Sequence, residues 1–242
     1  MHKPRTPTTP TTPVCVRIAA MREAGLMPEP VTTYAEFDEM IRAFDEGLIE
    51  FLVLVGSHGL GKTERFLRFK NLAYINNSAS ARGIYEWAMS NIDKALVLDD
   101  LDGLLKVREV IALLKALCET RSIKTVSLTK FLPAGVPRQF QTRSRVCLGF
   151  NALPELEADL VALLDRARLV VFAPSAQEVH RHVGEWFQNR EVFEFVGLHL
   201  GRITVPSIRL YQRIEAFSRQ YADWRERATG LLNHDGAAKR AS

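Results

Sequence analysis

Residues 56–63, Gly56-Ser57-His58-Gly59-Leu60-Gly61-Lys62-Thr63, have the form G-x-x-x-x-G-K-T, and each residue type suits the gripping of a phosphate chain. The glycines let the backbone curl until successive N–H groups point inward at anionic oxygens. Lys62 offers a long point charge for β- and γ-phosphates, and the Thr63 hydroxyl suits Mg²⁺. A second cluster, Asp99-Asp100, follows Ala95-Leu96-Val97-Leu98. Its first carboxylate could orient a Mg²⁺ shell and its second could polarise an attacking water. Asp99, Asp100 and Asp102 would also suit a solvated turn. Their place one strand–helix unit after Lys62 favours the chemistry.

Such groups work only if the chain delivers them to one edge of a sheet. The apolar run 51–55 reads as a strand ending at the glycine loop, and 64–69 as a helix whose positive N-terminal end faces the phosphates. Further apolar strands are expected at 72–76, 95–98, 145–150 and 169–172, separated by helices at 80–91, 107–117 and 156–164. Thr33 can cap another helix through about Phe44, with Phe37, Met40, Ile41 and Phe44 at 3–4 spacing. Unbroken apolar strands alternating with helices imply an α/β fold with a parallel sheet covered on both faces. After Pro174 only helical patterns recur, at 176–189, 190–200 and 207–227. The expected division is a Thr/Pro tail and docking helix over 1–30, a core over 31–173, a helical lid over 174–230 and a flexible tail over 231–242.

The chain has 242 residues, 47% hydrophobic and 25% charged, as in an ordinary globular protein. No apolar run approaches the roughly 20 residues of a membrane span. Three cysteines, Cys15, Cys118 and Cys147, are widely spaced and form no C-x-x-C pair, so neither a disulfide framework nor a zinc site is expected. The start of the chain lacks the apolar core of a secretory signal, and a cytoplasmic setting is expected. A net charge of +4 permits a nucleic-acid partner without requiring one.

With both clusters on consecutive strand–helix units, the chain resembles the AAA+ ATPases over roughly residues 31–227. These belong to the P-loop group that inserts an extra strand between the two motifs. The resemblance implies a five-stranded parallel core with helices on both faces, a small all-helical C-terminal lid, ATP and Mg²⁺ as ligands, and ATP hydrolysis. It also implies assembly with copies of itself in a ring or filament, with ATP between subunits. Residues 56–63 would hold the nucleotide, Thr63 and Asp99 the metal, and Asp100 the water. Asn151, directly after the strand 146–150, matches the polar residue that senses the γ-phosphate, although Asn is also a routine turn residue. Arg166, before the last core strand, matches the arginine finger acting on a neighbour's nucleotide, with Arg168 second and Arg143 and Arg145 weaker rivals. Arg209, just after the Ser207 helix cap, matches the lid arginine that reads nucleotide state. One departure stands out: most active members carry Glu where this chain has Asp100. The shorter side chain sets its carboxylate about 1.5 Å further back, so hydrolysis could be slow or absent.

Between Asp100 and Asn151 the chain is long for a single helix connection. Residues 124–130 read as an added strand, flanked by Arg121, Lys124, Lys130, Arg138, Arg143 and Arg145. DNA-acting AAA+ groups carry a β-hairpin here, so this basic 121–145 segment is a candidate for sequence-independent phosphate contact. Trp87, Trp186, Trp224, Tyr85 and Phe187 suit helix packing, and His180, His182 and His199 have no metal-ligand partners. The leading reading is an ATPase acting in a DNA transaction of the replication, transposition or mobile-element type. A nucleotide-gated scaffold that recruits a protein client is the alternative. A P-loop small-molecule kinase is weaker, because it leaves Asn151 and Arg209 without roles.

Overall fold

A computed structural model describes residues 13–69, 71–76, 80–101, 105, 107–129, 132–152 and 155–234. The Thr/Pro tail, Asp102, Lys130 and the tail beyond 234 lie outside the described residues. Eight strands form among them: β1 Glu29–Val31, β2 Phe51–Gly56, β3 Leu72–Asn76, β4 Ala95–Asp99, β5 Lys124–Ser127, β6 Gln139–Thr142, β7 Val146–Phe150 and β8 Arg168–Phe172. Six make one sheet in the order β1-β8-β2-β7-β4-β3, every neighbouring pair parallel. β7 therefore lies between β2, which delivers the glycine loop, and β4, which delivers the aspartates. This is the inserted strand expected from sequence.

The sheet has six strands rather than five. The extra one, β1, is three residues long and pairs Glu29–Val31 with Val170–Phe172. Pro30 sits at its centre, where proline normally argues against a strand. At an outer edge its missing N–H costs no ladder bond, which is why the sheet tolerates it there.

Helices cover both faces. α1 Pro13–Glu23, α4 Ala81–Met89, α5 Arg108–Leu117 and α6 Ala158–Leu164 lie on one side; α2 Tyr34–Asp45 lies on the other. The strand period of two explains how one strand serves two cores. Leu52 and Leu54 of β2 join one apolar cluster, while Phe51, Val53 and Val55 join the other. α2 begins at a complete capping box: the Thr33 hydroxyl accepts from the Glu36 N–H, and the Glu36 carboxylate accepts from the Thr33 N–H at 3.1 Å. Its Phe37 stacks on Phe172 of β8 with ring centroids 4.3 Å apart. Burying one such ring contributes about 1.5–3 kcal/mol.

Among the described residues four α-helices follow Pro174: α7 Ala176–Gly184, α8 Arg190–Leu198, α9 Ile208–Gln220 and α10 Trp224–His234. The single helix expected over 207–227 is two. Tyr221 is extended (φ −131°, ψ 134°), and α10 starts afresh three residues on. The break turns Trp224, Ala228 and Leu232, spaced four apart, onto the α8 side of the bundle, where Trp224 meets Phe195 at 5.2 Å. Val179, Val196, Tyr211 and Ile214 of this lid belong to the same cluster as Leu54 and Phe172 of the sheet. No described helix is long and apolar enough to cross a membrane.

Candidate functional site

The glycine loop lies at the C-terminal end of β2 and runs directly into the short helix α3 Lys62–Phe66. Lys62 is buried, and its Nζ donates to Gly56 O at 2.6 Å, Ser57 O at 2.9 Å and Asn151 Oδ1 at 3.1 Å. The loop thus curls around its own lysine. Gly59 turns with φ 75°, a region costly for any residue with a Cβ. A Cβ there would fall 2.2 Å from Ser207 Oγ and 3.3 Å from Arg209 Cγ, so the lid rests against the loop.

β4 brings up the acidic pair. Asp99 is 4% exposed, and its Oδ2 accepts from Thr63 Oγ1 at 2.7 Å and from the Tyr74 hydroxyl at 3.0 Å. Burial and the Asp99 charge push the Tyr74 hydroxyl up to about 12, so it stays a donor at neutral pH. Asp99 occupies space that Gly149 of β7 leaves open: a Cβ on Gly149 would stand 2.4 Å from Asp99 Oδ1. Asp100, the next residue, has φ 57°, a left-handed turn that Asp tolerates better than most residues. Its carboxylate accepts from Asn151 Nδ2. Because β7 lies between β2 and β4, Asn151 at its end reaches Lys62 on one side and Asp100 on the other.

The lid closes the other wall. Ile208 N–H donates to Gly59 O at 2.8 Å, and Ser207 Oγ accepts from Arg209 N–H at 3.2 Å, capping α9. The cleft between sheet and lid measures about 460 Å³, and Arg209, Gln212, His182 and Trp186 line it from the lid side. Behind the loop, Arg65 of α3 pairs with Asp38, lies 4.6 Å from the Tyr34 ring centroid, and approaches His182 Nε2 at 3.4 Å. Tyr34 stacks on His182 at 3.9 Å and donates to Leu60 O at 3.2 Å. Burial and then the Arg65 charge hold the His182 pKa below its ordinary value, although Glu185 pulls the other way. Burial raises that of Tyr34.

Lys62, Thr63, Asp99, Asp100, Asn151 and Arg209 therefore meet in one cleft with the loop residues. Arg166 does not. It is exposed and precedes β8, at the opposite end of the sheet from the loop. Arg168 pairs with Glu29 at 3.0 Å. The basic segment is smaller than expected. β5 and β6 do form an antiparallel hairpin, but Lys124 donates to Ser144 O at 2.6 Å and is fully buried, and that burial lowers its pKa. Arg145 bonds Asp45 O at 2.8 Å. Arg121, Arg138 and Arg143 remain exposed.

Tyr74, Gly149, Arg65, His182 and Trp186 carried no role at the site in the sequence. Trp186, expected in the core, is 42% exposed and faces the cleft. Arg65, two residues past Thr63, was within sight of the motif. The others carry no local signal, because their neighbours in space are far away in sequence.

No family model matches the sequence, and no curated protein matches it. Among solved structures, the chain is similar to domain III of the replication initiation protein DnaA from Thermotoga maritima. The TM-score is 0.50 and the identity 14%, over 94% of this chain and 97% of that one. At that identity the likeness carries the fold alone: an α/β domain with a parallel sheet and helices, consistent with an AAA+ architecture.

Proposed function

We propose that the chain binds ATP with Mg²⁺ in the cleft between sheet and lid, assembles with its own copies around that nucleotide, and hydrolyses it in a DNA transaction. The observation that carries this reading is the convergence of Lys62, Thr63, Asp99 and Asn151, from three strand ends, on one cleft, where Lys62 bonds Asn151 and Thr63 bonds Asp99. Lys62 would exchange its loop carbonyls for phosphate oxygens. The Thr63 hydroxyl and the buried Asp99 carboxylate are a pair of hard oxygens suited to Mg²⁺, which takes one or two protein ligands and completes its shell with phosphate and water. Bound there, the ion would neutralise phosphate charge. Asp100 would accept a proton from the attacking water, Asn151 would orient that water, and Arg209 would bring the lid onto the phosphates. Arg166, away from its own cleft, would complete a neighbour's. Exposed Arg121, Arg138 and Arg143 beside the hairpin, together with a fold shared with part of a replication initiation protein, support DNA as the partner.

A second reading is favoured by Asp100. Its short carboxylate is already engaged by Asn151, which suits a protein that binds ATP as an assembly signal, recruits a protein client and turns over little.

Lys62→Ala should weaken ATP binding at least about a hundredfold, since a charge-assisted contact and the loop geometry are lost together. Unchanged affinity, by calorimetry, would sink the site. Phosphate release with and without DNA, in the native protein and in Asp100→Glu, separates enzyme from scaffold. Gel filtration with a slowly hydrolysed ATP analogue tests assembly.

A further inference from the structure

The cleft does not end at the phosphate loop. On the lid side it is lined by Trp186, His182, Ile208 and Gln212. Of the three tryptophans, Trp224 is buried and Trp87 is packed against the core, whereas Trp186 is 42% exposed. An indole left open beside a cleft keeps a large apolar face in water until something flat covers it. This one is held in place. Trp186 follows α7, its backbone N–H donates to Val183 O at 3.2 Å, and its ring meets Phe187 edge-on at 5.9 Å and 84°. Phe187 is itself buried against Tyr211 at 5.8 Å.

Gln212, one turn past Ile208 on α9, adds direction to this platform. A primary amide presents a donor and an acceptor side by side. That pairs with the N7 edge of adenine, where the N6 amino group lies beside the N7 acceptor. The corresponding edge of guanine offers two acceptors and leaves the amide oxygen unmatched.

We propose that Trp186 and Gln212 are the base-reading residues of the cleft: Trp186 stacks on the nucleobase and Gln212 selects adenine over guanine. The proposal rests on the nucleotide reading above. Both residues belong to the lid, so base recognition would draw the lid toward a sheet that already holds the phosphates. Arg68, which also lines the cleft, would favour guanine if it were the reader instead.

Calorimetry on the full chain at fixed Mg²⁺, with ATP, GTP and inorganic tripolyphosphate, tests this. The native protein should bind ATP at least about tenfold more tightly than tripolyphosphate, and more tightly than GTP. Trp186→Ala should remove about that factor for ATP while tripolyphosphate binds as before, and Trp186→Phe should keep most of it. Gln212→Ala should bring ATP and GTP together. Stacking should also quench indole emission in the native protein, and Trp186→Phe should abolish that quench. The proposal is overturned if Trp186→Ala leaves ATP affinity unchanged, if it weakens tripolyphosphate equally, or if GTP binds more tightly than ATP. Tripolyphosphate bound as tightly as ATP defeats the base reading alone. Failure of both ligands to bind defeats the phosphate site, and the base reading with it.

Discussion

The glycine-loop end of the cleft and its lid end are built by different means. At the glycine-loop end, groups sit at strand termini of one parallel sheet, and each is already bonded to another: Lys62 to Asn151, Asn151 to Asp100, Thr63 to Asp99. At the lid end, Trp186 comes from the turn after α7 and Arg209 from α9, and the lid touches the loop through a few contacts, such as Ile208 N–H to Gly59 O. A sheet fixes charged groups to the tolerance that electrostatic chemistry needs. Helices packed through a shared apolar cluster can shift as a unit, which suits the sensing of a ligand.

Three substitutions probe that contrast. The largest effect is expected at the rigid end. Gly149→Ala places a methyl 2.4 Å from Asp99 Oδ1, where the carboxylate has no room to yield without losing Thr63 or Tyr74. Overpacking of this kind costs about 1–3 kcal/mol, a fall of roughly 3–10 °C in Tm for a chain of this size. The gain in ATP affinity that Mg²⁺ provides should vanish with it; a Gly149→Ala protein with native Tm and Mg²⁺ dependence would mean the sheet end is not rigid.

Gly59→Ala tests the seam between the ends. A left-handed alanine costs about 1–2 kcal/mol, and its methyl would displace the Ser207 cap of α9. ATP affinity should fall about tenfold, and Ser207→Gly in the same chain should restore part of it. Lack of rescue would indicate that the loop conformation alone, and not lid contact, sets the affinity.

The smallest effect belongs to His182. Its pKa is held below 6.5 by burial and Arg65, so the unfolded chain takes up the proton first, and stability falls as pH drops below about 6.5. Arg65 opposes protonation, while Glu185 and Asp38 favour it. Between pH 7.5 and 5.5 the native protein should lose roughly 1–3 °C more in Tm than His182→Gln does. Equal losses would remove His182 from the lid contact.

Much of this architecture was legible in the chain. Apolar strands in a parallel sheet are continuous runs, so β2, β4, β7 and β8 declared themselves, and Thr33 announced α2. β1 did not, because three residues around Pro30 carry no strand pattern. The break at Tyr221 did not either, since only the packing of Trp224 on Phe195 makes two helices better than one. Lys124 reads as a basic surface residue until β5 turns it inward onto Ser144 O.

The sequence by itself determined the glycine-loop end of the cleft. A glycine loop, Lys62, Thr63 and an Asp pair after an apolar run are local patterns, because the backbone shape and the charges they need come from neighbours in the chain. Tertiary structure alone decided that Asn151 lies between Lys62 and Asp100, that Gly149 makes room for Asp99, that Arg166 stands away from its own cleft, and that Trp186 is open rather than buried. Those facts depend on strand order and on where the lid helices dock, and both are set by burial of apolar surface between residues far apart along the chain.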